Sequence, residues 1–259
     1  MTTVEEWISL FKNKVLLRDI LKNDYGDDYK NFESKQKSIL DLLDLHKTKF
    51  GNEDIIIIRS PGRINLMGRH IDHQGGNVNL IAIDQEIFLT ASLRNDAKII
   101  AYNIDVDCFP RINLNFDDCK ATIQGDWVKL INMPQFINKF RSNKSNWNNY
   151  IAAAFLRLAN SFDFNNIKGA NICVSGDIII AAGLSSSSAL TMGILEALIN
   201  LNKIRINDKD IINLCAEAEW FVGTRGGSAD HVAIKLAKLN KIAHVRLFEL
   251  EVQQYVCFS

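Results

Sequence analysis

The 259-residue sequence has few of the features that mark disordered, secreted or membrane-spanning chains. It contains only three prolines, and 47% of its residues are apolar, so it has ample material for a packed core. The apolar stretches at 55–58 and 178–184 are far too short to cross a bilayer. The first residues, MTTVEEWISLFKNK, lack the apolar centre of a signal peptide. We therefore expect a globular cytoplasmic protein of one large or two ordinary domains, without a membrane partner.

The sequence also lacks a charge imbalance and a paired-cysteine motif. Its 30 basic and 30 acidic residues give a formal net charge of zero, so the sequence lacks the excess of positive charge that is typical of nucleic-acid-binding proteins. No C-x-x-C occurs, and the cysteines are odd in number and scattered, at Cys108, Cys119, Cys173, Cys215 and Cys257. We expect no nucleic-acid partner and reduced thiols in the core of a cytosolic protein. Nothing in the sequence indicates an oligomeric state.

Apolar periodicity divides the chain into helical and strand-like segments. Residues 1–50 repeat apolar side chains at helical spacing. Strands are predicted for 54–60, 78–93, 97–104, 169–180 and 241–250, with 78–93 read as one long or two paired strands. Helices are predicted for 148–162, 191–201 and 210–223.

One of the strand-to-helix junctions is rich in serine. The segment 181–190, AAGLSSSSAL, offers backbone N–H groups, hydroxyls and the positive end of a helix dipole, all of which suit a phosphate group. The alternative is that Ser185 is only the N-cap of the helix. No GKS or GKT occurs, so the loop is not the P-loop of the common NTPases. The candidate nucleotide-binding residues are Gly183, Leu184, Ser185, Ser186, Ser187 and Ser188.

A second segment, at 59–84, reads RSPGRINLMGRHIDHQGGNVNLIAID. It resembles the GHMP sugar kinases, and most closely the galactokinase signature PGRVNLIGEHTDYNGG. The matching residues are Pro61, Gly62, Arg63, Asn65, Gly68, His70, Asp72, Gly75 and Gly76. The segment 221–231, FVGTRGGSADH, is similar to the family's V-G-x-x-C-G-x-M-D-Q stretch. Trp147, Asn149 and Tyr150 echo its W-x-N-Y. With the serine loop, four segments in one order identify the chain as a member of this family.

The resemblance implies an α/β fold (α+β, two layers). It consists of a GHMP kinase N-terminal domain of the ribosomal-S5-like type and the beginning of a ferredoxin-like C-terminal domain. The implied divisions are a helical N-terminal extension at 1–50, an ATP- and sugar-binding domain at 51–235 and an incomplete domain at 236–259. The family's Gly-rich third motif has no counterpart, so the resemblance covers the first two-thirds of a family member. Either the sequence is a fragment, expected to be inactive alone, or the second domain is supplied elsewhere.

The resemblance also implies a phosphoryl transfer from ATP to a sugar hydroxyl, with Mg²⁺ as cofactor. Such a transfer needs a held triphosphate, a base and a positioned acceptor. By family position Ser187 is the hydroxyl ligand of Mg²⁺, and Glu219 is favoured over Glu217 as its carboxylate ligand. Asp230, in a glycine-lined turn, is the candidate base. Arg63 is expected to pair with Asp230 and with the transferred phosphoryl group, or to form only a structural salt bridge.

The sugar is expected to meet Arg69, His70, Asp72 and Gly75, which occupy the positions that bind sugar hydroxyls in the family. Arg69 stands where galactokinases have a Glu near the C6 hydroxyl. The acceptor is therefore expected to be galactose or a related sugar at its anomeric hydroxyl, with a uronic acid or a pentose as alternatives.

Two other classes of function stay open at this point. His70, Asp72, His73, Asp230 and His231 have spacings compatible with the metal site of a hydrolase. A non-catalytic homologue that senses sugar or ATP is the second alternative. The spacing of the histidines coincides with the segment that resembles a sugar-binding loop, which favours the kinase over the hydrolase. The intact serine loop, Arg63 and Asp230 favour the kinase over the sensor.

Overall fold

In the computed structural model of the chain, residues 2–68, 71, 74–120, 122–141 and 146–257 are described. They form nine helices: α1 (Val4–Lys12), α2 (Lys14–Tyr25), α3 (Phe32–Phe50), α4 (Trp127–Ile131), α5 (Pro134–Phe140), α6 (Asn148–Ser161), α7 (Ser186–Leu201), α8 (Asp208–Val222) and α9 (Ala229–Leu236). They form eight strands: β1 (Thr2–Thr3), β2 (Asp54–Met67), β3 (Asn77–Leu93), β4 (Lys98–Asn103), β5 (Ile112–Asn115), β6 (Ala170–Gly176), β7 (Lys241–Arg246) and β8 (Glu251–Cys257). The mixed α/β class predicted from the sequence is confirmed.

The strands belong to one sheet with the order β1-β2-β3-β6-β4-β5. All neighbours are antiparallel except β4 and β6, which run parallel. The predicted segment 78–93 is a single strand, β3, long enough to pair with β2, β6 and β7 along its length. Because β7 pairs with β3 and β8 with β7, residues 241–257 continue this sheet. The predicted domain boundaries stay a prediction.

Alternation along β2 directs its apolar side chains to two separate cores. Ile55 and Ile57 belong to the cluster beneath α1–α3, whereas Ile56 and Ile58 pack on the larger cluster. The larger cluster contains most residues of α6 and α7, and both helices are buried on nearly every side. Since successive residues of a strand point to opposite faces, the sheet has helices on both sides. The sequence-predicted helical extension 1–50 therefore supplies an additional layer.

The extension is fixed by ordinary capping chemistry and by an apolar stripe. Thr3 and Glu6 form a capping box at the start of α1, and Asn13 accepts from two backbone N–H groups at the start of α2. The helix α3 buries Ile39, Leu42 and Leu43 at helical spacing against the sheet.

Two sequence expectations about apolar residues are wrong in part. The predicted strand 169–180 ends at Gly176, and Ile179 and Ile180 are exposed in the loop that follows. The chain leaves the sheet there because the Asp177 side chain accepts hydrogen bonds from the neighbouring strand and from α3. The five cysteines are free, but Cys108 and Cys257 are exposed rather than in the core.

No helix among the described residues has the length and apolar character that a bilayer crossing requires.

Candidate active site

Arg63 lies near the end of β2, where the pairing with β3 is irregular. The register shifts between Pro61 and Arg63 and again between Asn65 and Met67. Such irregularities bend a strand and change the direction of its side chains. The Arg63 side chain is only 14% exposed, and its guanidinium lies between the serine loop and α9.

Asp230 is held by Arg63 through two parallel hydrogen bonds. Arg63 Nε donates to Asp230 Oδ1 at 2.6 Å, and Nη2 donates to Oδ2 at 2.6 Å. Burial opposes ionisation of the carboxyl, but the hydrogen bonds and charge of Arg63, helped by Ser185, outweigh it and lower the pKa of Asp230. The carboxylate is therefore ionised at neutral pH. The expectation that Asp230 lies in a turn is wrong, because it belongs to the first turn of α9, where the helix dipole favours a negative charge.

The serine loop meets this ion pair at two points. Arg63 Nη1 donates to the carbonyl oxygen of Gly183 at 2.6 Å, and the Arg63 backbone N–H donates to the Leu184 carbonyl at 3.2 Å. Ser185 stands at the N-cap position of α7 with a left-handed backbone (φ 58°) and no side-chain capping bond. Its hydroxyl instead donates to Asp230 Oδ2. The N-cap alternative for the Ser185 hydroxyl is therefore wrong, and the hydroxyl belongs to the Arg63–Asp230 site.

The geometry of the loop suits a phosphate group. Ser186, Ser187 and Ser188 open α7, a helix of 16 residues. The first N–H groups of a helix have no partner within it, and its dipole places positive charge at the same end. Gly183 has φ 74° and no atom near the position of a Cβ, so the loop is open at this residue.

A cavity of about 450 Å³ lies beside the serine loop. Its lining combines aromatic and aliphatic side chains with polar groups, including Phe109, Trp147, Tyr150, Leu190 and Ser187. In the sequence, Trp147 and Tyr150 stand out only because they are similar to a family motif. The sequence gives no signal for Phe109, which comes from a loop far away in the chain and meets Trp147 edge to face at 5.7 Å.

Glu219 and Ser187, the predicted magnesium ligands, lie near the same Tyr150. Burial, and then the nearby Glu219 carboxylate, raise the pKa of Tyr150, whereas the neighbouring Ser187 side chain lowers it. Glu219 is largely buried, and its Oε1 lies 3.3 Å from His231 Nε2. Burial disfavours protonation of His231, but Cys215 and Glu219 raise the pKa of His231 well above its usual range. Glu217, the other candidate, pairs with Arg157 and is thereby engaged elsewhere.

Of the predicted sugar-binding residues, the described part of the chain includes Gly75. Its φ is 80°, and a Cβ there would lie 2.3 Å from the ring of Phe248. The positive φ therefore favours glycine at this position, and any other residue would also have to displace the exposed Phe248 ring. Arg69, His70 and Asp72 lie outside the described residues, and their sugar-binding role stays a prediction.

The described residues do not support the metal-hydrolase alternative. Within the described residues no group of three His, Cys, Asp or Glu side chains is arranged to hold a metal ion. Asp230 is engaged by Arg63, and His231 is buried against Glu219. The remaining members, His70, Asp72 and His73, lie outside the described residues.

Acid should remove the stabilisation that the Arg63–Asp230 pair provides. Folding lowers the pKa of Asp230, so the full contribution is present above the ordinary aspartate pKa of about 3.9 and is lost as pH falls through the folded value. We expect wild type to lose about 1 to 3 kcal/mol of unfolding free energy relative to Asp230→Asn between about pH 6 and about pH 2. Urea unfolding at several pH values measures this. A difference between the two proteins that stays constant with pH would contradict it.

Two family models match the chain. The galactokinase galactose-binding signature matches residues 44–93, and the GHMP kinases N terminal domain matches residues 149–238. The first includes Arg63 and Gly75, and the second includes the serine loop, Glu219 and Asp230. The chain therefore belongs to the GHMP kinase superfamily. Within it, the chain is galactokinase-like.

Individual relatives agree with this assignment. The galactokinase of Dictyostelium discoideum is 28% identical over 216 residues, which cover 83% of this chain and 40% of that protein. The galactokinase of Clostridium perfringens is 30% identical over 193 residues, 74% of this chain and 44% of that protein. The fold resembles that of Lactococcus lactis galactokinase, solved in complex with galactose, with a TM-score of 0.68, 23% identity, and coverage of 83% of this chain and 50% of that one. The chain spans less than half of the curated relatives it matches, so the expectation of two-thirds is too high.

Proposed function

We propose that this chain serves in the ATP-dependent phosphorylation of a monosaccharide hydroxyl, that of galactose or a related sugar at the anomeric position. The observation that carries the proposal is the junction made by Arg63. One guanidinium hydrogen-bonds the candidate base, Asp230, and the phosphate-binding loop at Gly183. Base, cation and loop thus converge on one point, as in-line transfer requires. A cytoplasmic location accords with the use of ATP and stays a prediction.

The hydrogen bonds of Asp230 support a route for the acceptor proton. Oδ2 accepts from both Arg63 and Ser185, whereas Oδ1 accepts from Arg63 Nε. A carboxylate oxygen has two lone pairs, so Oδ1 retains one that can accept from a sugar hydroxyl. The low pKa of Asp230 makes it a weak base. In phosphoryl transfer the positioning of the hydroxyl matters more than early proton removal, so this is compatible with the role.

The candidate Mg²⁺ ligands have suitable chemistry. Mg²⁺ prefers carboxylate and hydroxyl oxygens, and the largely buried Glu219 carboxylate has only His231, 3.3 Å from Oε1, as an ion-pair partner among the described residues. Tyr150 links the surroundings of Glu219 to the Ser187 side chain. We propose that Glu219 and Ser187 hold the ion, which when bound would neutralise phosphate charge. His231 keeps the Glu219 side chain in place.

The cavity beside the loop is our candidate for the adenine and ribose of ATP. Its aromatic edges and apolar floor suit a planar base, and Ser186 and Ser187 line its loop side.

Phe109→Ala should therefore raise the ATP concentration needed for half-saturation by about tenfold, because a base would lose an aromatic wall. The sugar concentration for half-saturation should change little. The matched control is Val106→Ala in the same loop, since Val106 is 60% exposed and does not line the cavity. Equal effects of the two substitutions on ATP would remove the base from this cavity.

The function is tested by mixing the full-length protein with ATP, Mg²⁺ and each of galactose, galacturonate, arabinose and glucose, and measuring ADP and sugar phosphate. Formation of galactose 1-phosphate is the expected result. Preference for galacturonate or arabinose would favour the uronic acid or pentose alternative. Binding of ATP and sugar by the full-length protein without any product would indicate a sensor.

A further inference from the structure

A buried lysine connects the helical extension to Asp177, the first residue of the loop 177–185 that joins β6 to α7 and contains the start of the serine loop. Lys35 of α3 is 4% exposed. Its ammonium lies 2.7 Å from Glu86 Oε1 and 3.0 Å from Asp177 Oδ2, and donates to the Asp84 carbonyl oxygen at 2.6 Å. An ammonium has three N–H donors, and each has an acceptor here. A cation this deeply buried is stable only with such partners.

Asp177 is where β6 becomes the loop. It follows Gly176, the last residue of the strand, and precedes the segment that leads to Ser185. Its Oδ1 accepts from the Glu86 backbone N–H at 2.6 Å, and its own N–H donates to the Glu86 carbonyl at 3.1 Å. Strand β3 and helix α3 therefore both hold the first residue of the loop.

The far end of the loop is held separately, by the site itself. Arg63 contacts Gly183 and Leu184, and Ser185 donates to Asp230. Between these two anchors Ile179 and Ile180 are exposed, at 65% and 62%. The path of the loop thus depends on where its two ends are fixed.

We propose that Lys35 is a positioning residue for the loop 177–185, which connects β6 to α7, and that it acts through Asp177. That this loop binds ATP rests on the proposed function. Glu86 retains Arg59 and Tyr25 as partners when Lys35 is removed. For Asp177, Lys35 is the only ion-pair partner among the described residues. Loss of the lysine therefore acts on the loop most directly. Without Lys35, β3 alone holds the first residue of the loop, so the loop keeps more freedom that must be lost when the nucleotide binds, which lowers affinity.

The test is a double-mutant cycle with Lys35→Met and Asp177→Asn, measured by ATP affinity and by amide hydrogen exchange of 177–185 in the nucleotide-free protein. Each single substitution should weaken ATP binding by about tenfold and speed exchange in the loop. The double variant should be no weaker than Lys35→Met alone, because that substitution already removes the ion pair that Asp177→Asn breaks. The Lys14→Met and Glu33→Gln pair is the matched control, an exposed ion pair at 2.7 Å within the same extension. It should leave both measurements unchanged.

Unfolding by urea separates positioning from stability. Asp177 has a side chain that is 56% exposed, so Asp177→Asn should fold even where Lys35→Met does not. Asp177→Asn with wild-type ATP affinity and wild-type loop exchange would overturn the proposal, as would additive effects in the cycle. If wild type binds no ATP, the proposed function fails, while loop exchange in the nucleotide-free protein still decides the role of Lys35.

Discussion

Replacing Asp230 by Asn should lower kcat by about 10²- to 10⁴-fold while leaving ATP affinity nearly intact. An amide nitrogen cannot accept the proton of the sugar hydroxyl, and the amide carries no charge to orient it. The contact between Arg63 Nη1 and the Gly183 carbonyl does not involve Asp230, and the amide oxygen of Asn can still accept from the Ser185 hydroxyl, so the phosphate loop should keep its position. The measurements are steady-state phosphorylation of the best sugar and ATP binding by calorimetry.

Asp96→Asn is the matched control for this experiment. Asp96 receives the same two-pronged hydrogen bonding from Arg94, with Nε at 2.7 Å and Nη2 at 2.9 Å. It precedes β4, away from the serine loop, so its substitution should spare kcat. Retention of more than about a tenth of the wild-type rate by Asp230→Asn would remove Asp230 from the role of base. Equal losses in the two variants would indicate a general effect on folding.

The site residues that can be predicted from the sequence are those that belong to short sequence motifs. Arg63, Ser185 and Asp230 each lie in a motif, and the structure brings all three together. The strand β3 and the helices α6 and α8 were likewise predictable, because apolar periodicity is a local property.

What could not be predicted depends on contacts between distant segments. Lys35 and Asp177 are 142 residues apart, and neither belongs to a motif. Phe109 reaches the cavity from an irregular loop with no periodicity. The end of β6 at Gly176 was missed because the apolar run continues through Ile180, whereas the hydrogen bonds of Asp177 determine where the strand stops. The glycine-rich residues before Asp230 predict a turn, and the sequence gives no sign that the short helix α9 begins at Ala229.

Arg63→Lys should lower kcat/KM for ATP by about 10³-fold, although the positive charge is retained. The guanidinium makes two bonds to Asp230 and one to Gly183 in a fixed plane. An ammonium is a point charge on a flexible stem and cannot span the base and the loop in this geometry. Because the loop and the base would both lose a fixed contact, we expect KM for ATP to rise and kcat to fall together.

The matched control is Arg94→Lys, which breaks an equally well-formed pair with Asp96 outside the site and should change neither constant. Combining Arg63→Lys with Asp230→Asn tests whether the two residues act as one unit. If they do, the double variant loses little more activity than Arg63→Lys alone. If Arg63→Lys keeps wild-type kcat and KM, the salt bridge is structural, and the junction between base and phosphate loop does not carry the reaction.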